Sequence, residues 1–457
     1  MSLKHCLSDR GARVLLAVFA YFLVFHLAVT GFNRDDLYNM KLLATFGGPG
    51  GALDYLVDRY AHWSSRTLAD LFMVVFTGIP AIIWKIADTL VATSCAYLMA
   101  AIAGTLYAKG WRAFIKPAAF VMVVLYPFFD MKTSGWVATT VNYLWPMAGL
   151  LYMGLCAARL VKANGLQVGV TNRYSTRKIW RIVLLALAVL WAGAHELIAL
   201  CAVLLEAALI ACLCLEGRGR KAGLPALLFA VSLFFVGWAV FCPGNAIRNL
   251  STATTQFPSW ESFSTIEHLT MALAGTFDRL TSLGFYRGGV QPLLMQSCLW
   301  ILILLSVHRR FMSFKLDLLM ALPFLFCYLM NQTDVRFWSI WALMDGMASE
   351  HMGQVRMAYQ PVLSVLIVAF TSSGLYLAFL RQGPRGAIPA LCAVLCYLAG
   401  LGTRVAMGFS CTVYASNTRT YIALLFSMGL LIVLLAHESD LPGLLRKAYG
   451  CGSKDRP

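Results

Sequence analysis

The chain has 457 residues, 60% of them hydrophobic and only 13% charged, with a formal net charge of +16 and a mean hydropathy of +0.71. So few polar residues cannot cover a soluble globule of this size, which excludes a water-soluble enzyme or binding module. The basic residues are scattered between apolar runs and build no basic face, so the expected surroundings are a lipid bilayer and no nucleic acid.

In chain order, apolar runs near the length that crosses a bilayer fall at about 12–30, 81–107, 113–129, 142–161, 179–194, 197–215, 224–241, 291–307, 316–331, 360–380, 387–407 and 418–436. The first run follows Lys4, Arg10 and Arg13 but lacks a small-residue cleavage site, and Asn33-Arg34-Asp35-Asp36 follows directly. It therefore reads as a retained span. Lys109, Arg112 and Lys116; Lys162, Arg173, Arg177 and Lys178; Arg218, Arg220 and Lys221; Arg309, Arg310 and Lys315; Arg381 and Arg385; and Arg446 and Lys447 fall in short connections or the tail. The positive-inside rule places all of these, and both termini, in the cytoplasm.

Residues 67–83 are apolar enough for a further span, but counting them as one would put the Lys109 and Arg112 loop outside. The stretch 53–78, with Asp54, Asp58, Arg59, His62, Arg66 and Asp70 among Leu, Tyr, Trp and Phe, reads instead as an amphipathic helix at the outer interface. The expectation is an all-α polytopic integral membrane protein. It has about 12 transmembrane helices, an amphipathic interfacial helix in the first outer loop, no internal repeat and no separate soluble domain.

The 13 cysteines show neither zinc-like nor redox spacing and mostly lie inside apolar runs, as small apolar side chains do. Cys242 and Cys411 both fall at outer span ends, where an oxidising compartment would let them pair. Glu206 and Asp317 lie within spans, but lone carboxylates without an inverted repeat make a poor transporter signature.

On this topology four polar clusters share the outer face: Asp35-Asp36, Asn142-Tyr143, His195-Glu196 and Pro243-Gly244-Asn245. Carboxylates and imidazoles are expensive to keep at a bilayer boundary, so they mark a working site. Asp35-Asp36 suits a helix cap or, partly desolvated, a general base. His195-Glu196 is either a mutually satisfied pair or a ligand contact. In Trp63-Ser64-Ser65-Arg66 the guanidinium suits an aromatic belt or a lipid phosphate. Asn142-Tyr143-Leu144-Trp145-Pro146 offers an aromatic wall with an amide beside it, as a sugar ring prefers. Pro243-Gly244-Asn245-Ala246-Ile247-Arg248 reads equally as a helix stop or an anion-binding turn.

Taken in this order, the motifs of residues 12–249 resemble the GT-C superfamily of membrane glycosyltransferases, and among them the bacterial O-antigen serotype-converting glucosyltransferases. The resemblance implies a catalytic transmembrane core over 1–249 and a C-terminal transmembrane region, 250–457, whose outer loops at 249–290 and 332–359 face the acceptor. It also implies transfer of a sugar, glucose in those relatives, from a polyprenyl-phosphate carrier to a polysaccharide or lipid-linked glycan at the periplasmic side of the inner membrane. Asp35 or Asp36 would then be the base. Arg66, Arg248 and His195 would stabilise the departing phosphate, and Trp63, Asn142, Tyr143, Glu196 and Asn245 would line the substrate site. No ligand set for a metal is evident, and no cofactor is expected. The alternative of another class is a transporter or flippase for a lipid-linked sugar, which needs the same cavity but no base.

Overall fold

The computed structural model describes residues 8–28, 32, 34–128, 137–162, 176–257, 260–281, 290–330, 360–383, 385–413, 417–441 and 443. Among them the regular structure is entirely helical. The helices are α1 (Arg10–Ala28), α2 (Arg34–Thr45), α3 (Ala52–His62), α4 (Thr67–Thr77), α5 (Ala81–Leu106), α6 (Ile115–Phe120, continued by a π-helical turn at Val121–Leu125), α7 (Val137–Lys162), α8 (Thr176–Gly193), α9 (Glu196–Leu215), α10 (Gly223–Val240), α11 (Pro243–Gln256), α12 (Thr265–Thr281), α13 (Gln291–Phe311), α14 (Phe314–Met330), α15 (Gln360–Phe379), α16 (Ala387–Ala406) and α17 (Ile422–Glu438).

Among the described residues nine helical segments are long and apolar enough to cross a membrane, those of α1, α5, α7, α9, α10, α13, α15, α16 and α17. The other three expected spans coincide with shorter helices. The run at 113–129 yields only α6 and its π turn, because Tyr126 swings into the extended region at ψ 122°. The run at 179–194 is α8, which stops at Gly193, and that at 316–331 is α14. The single interfacial helix expected over 53–78 is two helices, α3 and α4, broken at Trp63–Arg66. Asn142 and Tyr143 lie within α7, which starts five residues earlier than the apolar run at 142–161 because Val137 opens it. The loop 332–359 lies outside the described residues, as do the basic positions Lys4, Arg173, Arg446 and Lys447.

Small residues let the helices approach, as they do where lipid gives no hydrophobic drive between spans. A Cβ on Gly149 of α7 would come within 2.6 Å of the Ala188 carbonyl of α8, and one on Gly400 of α16 within 2.8 Å of the Leu424 Cα of α17. The buried run from Ala100 to Gly104 gives α5 the same smooth side. α5 packs between α1 and α7, α7 against α8, α9 against α10, and α17 against α13 and α16.

A buried polar tie crosses the α1–α5–α7 contact. His26 Nε2 lies 2.8 Å from Asp88 Oδ2, and Trp145 Nε1 donates to Asp88 Oδ1 at 2.8 Å. α5, at 1.5 Å per residue, is about 39 Å long, so its two ends serve different places. Asp88 lies near the start, beneath the cavity described below, and Tyr107, just past the end, donates to Glu438 at 2.6 Å amid Arg310 and Arg381. Arg310 and Arg381 thus lie at the end of the bundle away from the cavity.

Candidate functional site

A polar cavity of about 410 Å³ opens between the first turns of α2, α7 and α9, the α3–α4 turn, α11, and residues Met407, Ser410, Thr412, Arg419 and Thr420. α2 and α7 are joined by Asp36, fully buried, whose Oδ2 and Oδ1 accept the backbone N–H groups of Val137 and Ala138 at 3.2 and 2.8 Å. A carboxylate on those unpaired amides caps α7 and meets the positive end of its dipole. The neighbouring residue of a helix points about 100° away, which turns Asp35 into the cavity; its Oδ2 lies 3.6 Å from Arg419 Nη1. The acidic pair therefore divides: Asp36 caps α7, and Asp35 is the one of the two whose side chain lines the cavity.

The turn Trp63-Ser64-Ser65-Arg66 is held by the start of α11. A Cβ on Gly244 would lie 2.3 Å from Trp63 N and 2.6 Å from the Tyr60 carbonyl, so only glycine fits. Asn245 Nδ2 donates to Ser65 Oγ at 3.3 Å and to the Ala239 carbonyl at 2.8 Å. Asn245 thus builds the wall without lining the cavity.

Arg66 is delivered by this turn onto Glu196, the first residue of α9. Its Nε and Nη2 reach Oε2 and Oε1 at 3.0 and 2.6 Å, and the guanidinium sits 5.3 Å from the Tyr143 ring centroid. Burial opposes the charge of Arg66, but the carboxylate of Glu196 and Tyr143 outweigh it and hold the group above its ordinary range. The fork expected to grip a phosphate is occupied by a side chain. Behind it Arg59 Nε reaches Asp70 Oδ2 at 3.3 Å, both side chains buried. Burial pushes the Asp70 carboxyl up, and Arg59 offsets this only in part.

Arg248 differs from the other cavity arginines. On α11 and half-buried, its guanidinium has no hydrogen bond or ion pair among the described residues, although its backbone carbonyl accepts from Thr252 at 2.6 Å. Burial first, and then the like charge of Arg66, pull it below the usual arginine range, the condition of a cation that lacks its counter-ion. The cavity sets Arg59, Arg66, Arg248 and Arg419 against Asp35, Asp70 and Glu196. The unbalanced positive charge suits an anion.

His195, the extended residue between α8 and α9, is 2% exposed and caps α9 by accepting the Leu197 N–H on Nδ1 at 3.3 Å. Burial, with the nearby charge of Arg66, pushes it down to about 3, so the ring is neutral at physiological pH. Nδ1 accepts, so Nε2 carries the proton, and that buried donor has no partner. The ring lies 4.9 Å from that of Tyr143.

Eight of the expected site residues thus line one cavity: Asp35, Trp63, Arg66, Asn142, Tyr143, His195, Glu196 and Arg248. Sequence reasoning missed Arg59, Asp70 and Arg419 as cavity residues. An Arg and an Asp within one mostly apolar stretch need each other as partners, a cue that would have found the first two. Cys242 and Cys411 do not pair: Cys242 Sγ donates to the Tyr60 carbonyl at 3.1 Å, and Cys411 Sγ lies 3.1 Å from Thr252 Oγ1. Among the described residues no three His, Cys, Asp or Glu side chains converge as metal ligands do. Comparison with models of protein families, with curated proteins and with solved structures finds no match to this chain.

Proposed function

We propose that the chain is an inverting membrane glycosyltransferase. It moves a hexose, glucose in our reading, from a polyprenyl-phosphate carrier to a surface polysaccharide such as O-antigen. In this reading α6, α8 and α14 complete twelve crossings, α3 and α4 lie at the interface, and the cavity faces the periplasm of the bacterial inner membrane. The observation that carries it is the convergence, at one end of an apolar bundle, of an accessible carboxylate, Asp35, with an uncompensated guanidinium, Arg248.

The chemistry follows from that pairing. Asp35 takes the proton of an acceptor hydroxyl, whose oxygen attacks the anomeric carbon from the side opposite the carrier. The bond from that carbon to the phosphate oxygen breaks, and polyprenyl phosphate leaves as an anion whose added charge Arg248 meets. Arg66, held by Glu196, orients Tyr143 and raises the local positive field. The neutral Nε2–H of His195 supplies a further donor for a ligand oxygen.

Purified protein in liposomes, given a polyprenyl-phosphate hexose and a lipid-linked glycan, tests the reading. Sugar should appear on the acceptor with inverted anomeric configuration. Movement of the lipid between leaflets with no sugar transfer would replace this proposal with the flippase.

A further inference from the structure

At the end of the bundle away from the cavity, α15 and α16 diverge around a groove of about 460 Å³ lined by Ser372, Ser373, Tyr376, Leu377, Leu391 and Val394. The groove is open along one side, since Ser373 is exposed and Leu391 is 51% exposed. Its walls are largely apolar apart from the hydroxyls of Ser372, Ser373 and Tyr376. A serine in a membrane helix ordinarily bonds back to the carbonyl one turn earlier, as Thr371 does with Ile367 at 2.6 Å. Ser372 Oγ is buried without a partner, and no intramolecular partner of Ser373 is found among the described residues. Two unsatisfied hydroxyls in an apolar, membrane-facing groove call for a ligand that brings oxygen into hydrocarbon.

One turn toward the end of α15 the groove meets positive charge. Arg310 Nη1 donates to the carbonyl of Leu377, a lining residue, at 3.5 Å, and Arg381 follows the helix directly. Among the described residues Arg310 and Arg381 meet Glu438 at 3.3 and 3.4 Å, Arg309 meets Asp440 at 3.9 Å, and Lys109 lies 3.4 Å from His437 Nε2. Glu438 already accepts Tyr107 at 2.6 Å. Both long arginine contacts leave donors to spare.

We infer that this groove holds one anionic glycerophospholipid of the leaflet at the basic end of the bundle, with its phosphate on Arg381 and Arg310, its ester oxygens beside Ser373 and an acyl chain against Leu391 and Val394. The order of groups matches the order of depth. Four residues separate Leu377 from Ser373, about 6 Å along the helix, comparable with the reach of glycerol from phosphate to acyl ester. Beyond the groove the exposed side chains Leu366, Leu395 and Leu398 continue an apolar track for the chain. A prenyl carrier has the phosphate but no ester to meet the serines, and a free phosphate lacks the chain.

Native mass spectrometry of the detergent-purified protein, titrated with phosphatidylglycerol, phosphatidylcholine, polyprenyl phosphate or inorganic phosphate, tests the assignment. One phosphatidylglycerol should persist at activation energies that strip phosphatidylcholine. Arg381→Ala and the groove-filling Leu391→Trp should each weaken it about ten-fold, as loss of a charge-assisted contact or of the chain's place does. Ser373→Val should weaken it about three-fold. Unfolding temperatures without added lipid show whether each variant is folded, and a variant more than a few degrees below the wild type is replaced by Leu391→Phe or Arg381→Gln. Equal retention of phosphatidylcholine, unchanged retention in folded Leu391→Trp, displacement by polyprenyl phosphate, or equal stabilisation by inorganic phosphate would each overturn it. The readout is independent of sugar transfer.

Discussion

Arg66 and Glu196, 130 residues apart in the chain, face each other as a two-pronged ion pair at 3.0 and 2.6 Å in the cavity wall. The side chains are 15% and 26% exposed, so neither charge is well served by water alone. Arg66→Ala and Glu196→Ala should each destabilise the protein, and the double variant by less than their sum. The expected coupling is about 1 to 3 kcal/mol, read from the unfolding midpoints of the four proteins. Additive losses would mean that the pair does not act as a unit.

Asp35 and Asp36 should separate by function. Asp35→Asn removes the proton acceptor with little change in shape, and turnover should fall about 100-fold to 10,000-fold with stability unchanged. Asp36→Asn weakens the cap on Val137 and Ala138 and should lower stability by about 1 to 2 kcal/mol with a milder loss of turnover. Steady-state rates and thermal unfolding of both variants decide it. The reverse pattern would exchange the two roles.

Arg248 is the expected phosphate contact. Arg248→Ala should weaken use of the lipid donor about ten-fold to a hundred-fold and leave the fold intact, because no internal partner is lost. Donor titrations compared with unfolding curves check both halves of the statement. Arg66→Lys, by contrast, should lose stability, since an ammonium cannot reproduce the fork.

Protonation of His195 sets a sign for acid stability. Its folded value, about 3, lies below its unfolded value of 6.5. The unfolded chain therefore binds a proton between those values that the folded chain refuses. The contribution is present above about pH 6.5 and is lost as pH falls toward 3, with a slope of at most about 1.4 kcal/mol per pH unit. His195→Gln should flatten the pH dependence of the unfolding midpoint between about pH 6.5 and 4. An unchanged slope would show that the ring is already protonated in the folded state.

Orientation has a direct check. In a Cys-free background, Ser251→Cys on α11 should react with an impermeant thiol reagent added to intact cells, and Gly110→Cys in the basic loop after α5 should not. Both positions are exposed in the folded protein. Labelling of Gly110→Cys alone would invert the molecule and place the cavity in the cytoplasm.

The cavity was legible in the sequence because membrane depth is legible. His195-Glu196 interrupts two apolar runs, and the distribution of basic loops sends that interruption to the same side as Asp35 and Asn142. What could not be read was pairing at a distance. Nothing local tells that Asp36 caps a helix beginning about a hundred residues later, or that Glu196 claims the guanidinium of Arg66. Helix breaks were also hidden: the hydrophobic pattern over 53–78 runs through Trp63–Arg66, and only the docking of Gly244 against Trp63 explains the turn there.

The most enclosed of the described spans comes after the other eight in the chain. Of the Thr418–Glu438 window, 83% is buried, against 22% for Arg10–Ala28. Immediately before α17 stand Arg419 and Thr420, which complete the cavity wall. The earlier helices must therefore wait in the membrane with their central slot unfilled, and the site closes only once this late helix joins them. A chain cut short before Arg419 would carry every motif of its first half and no assembled site.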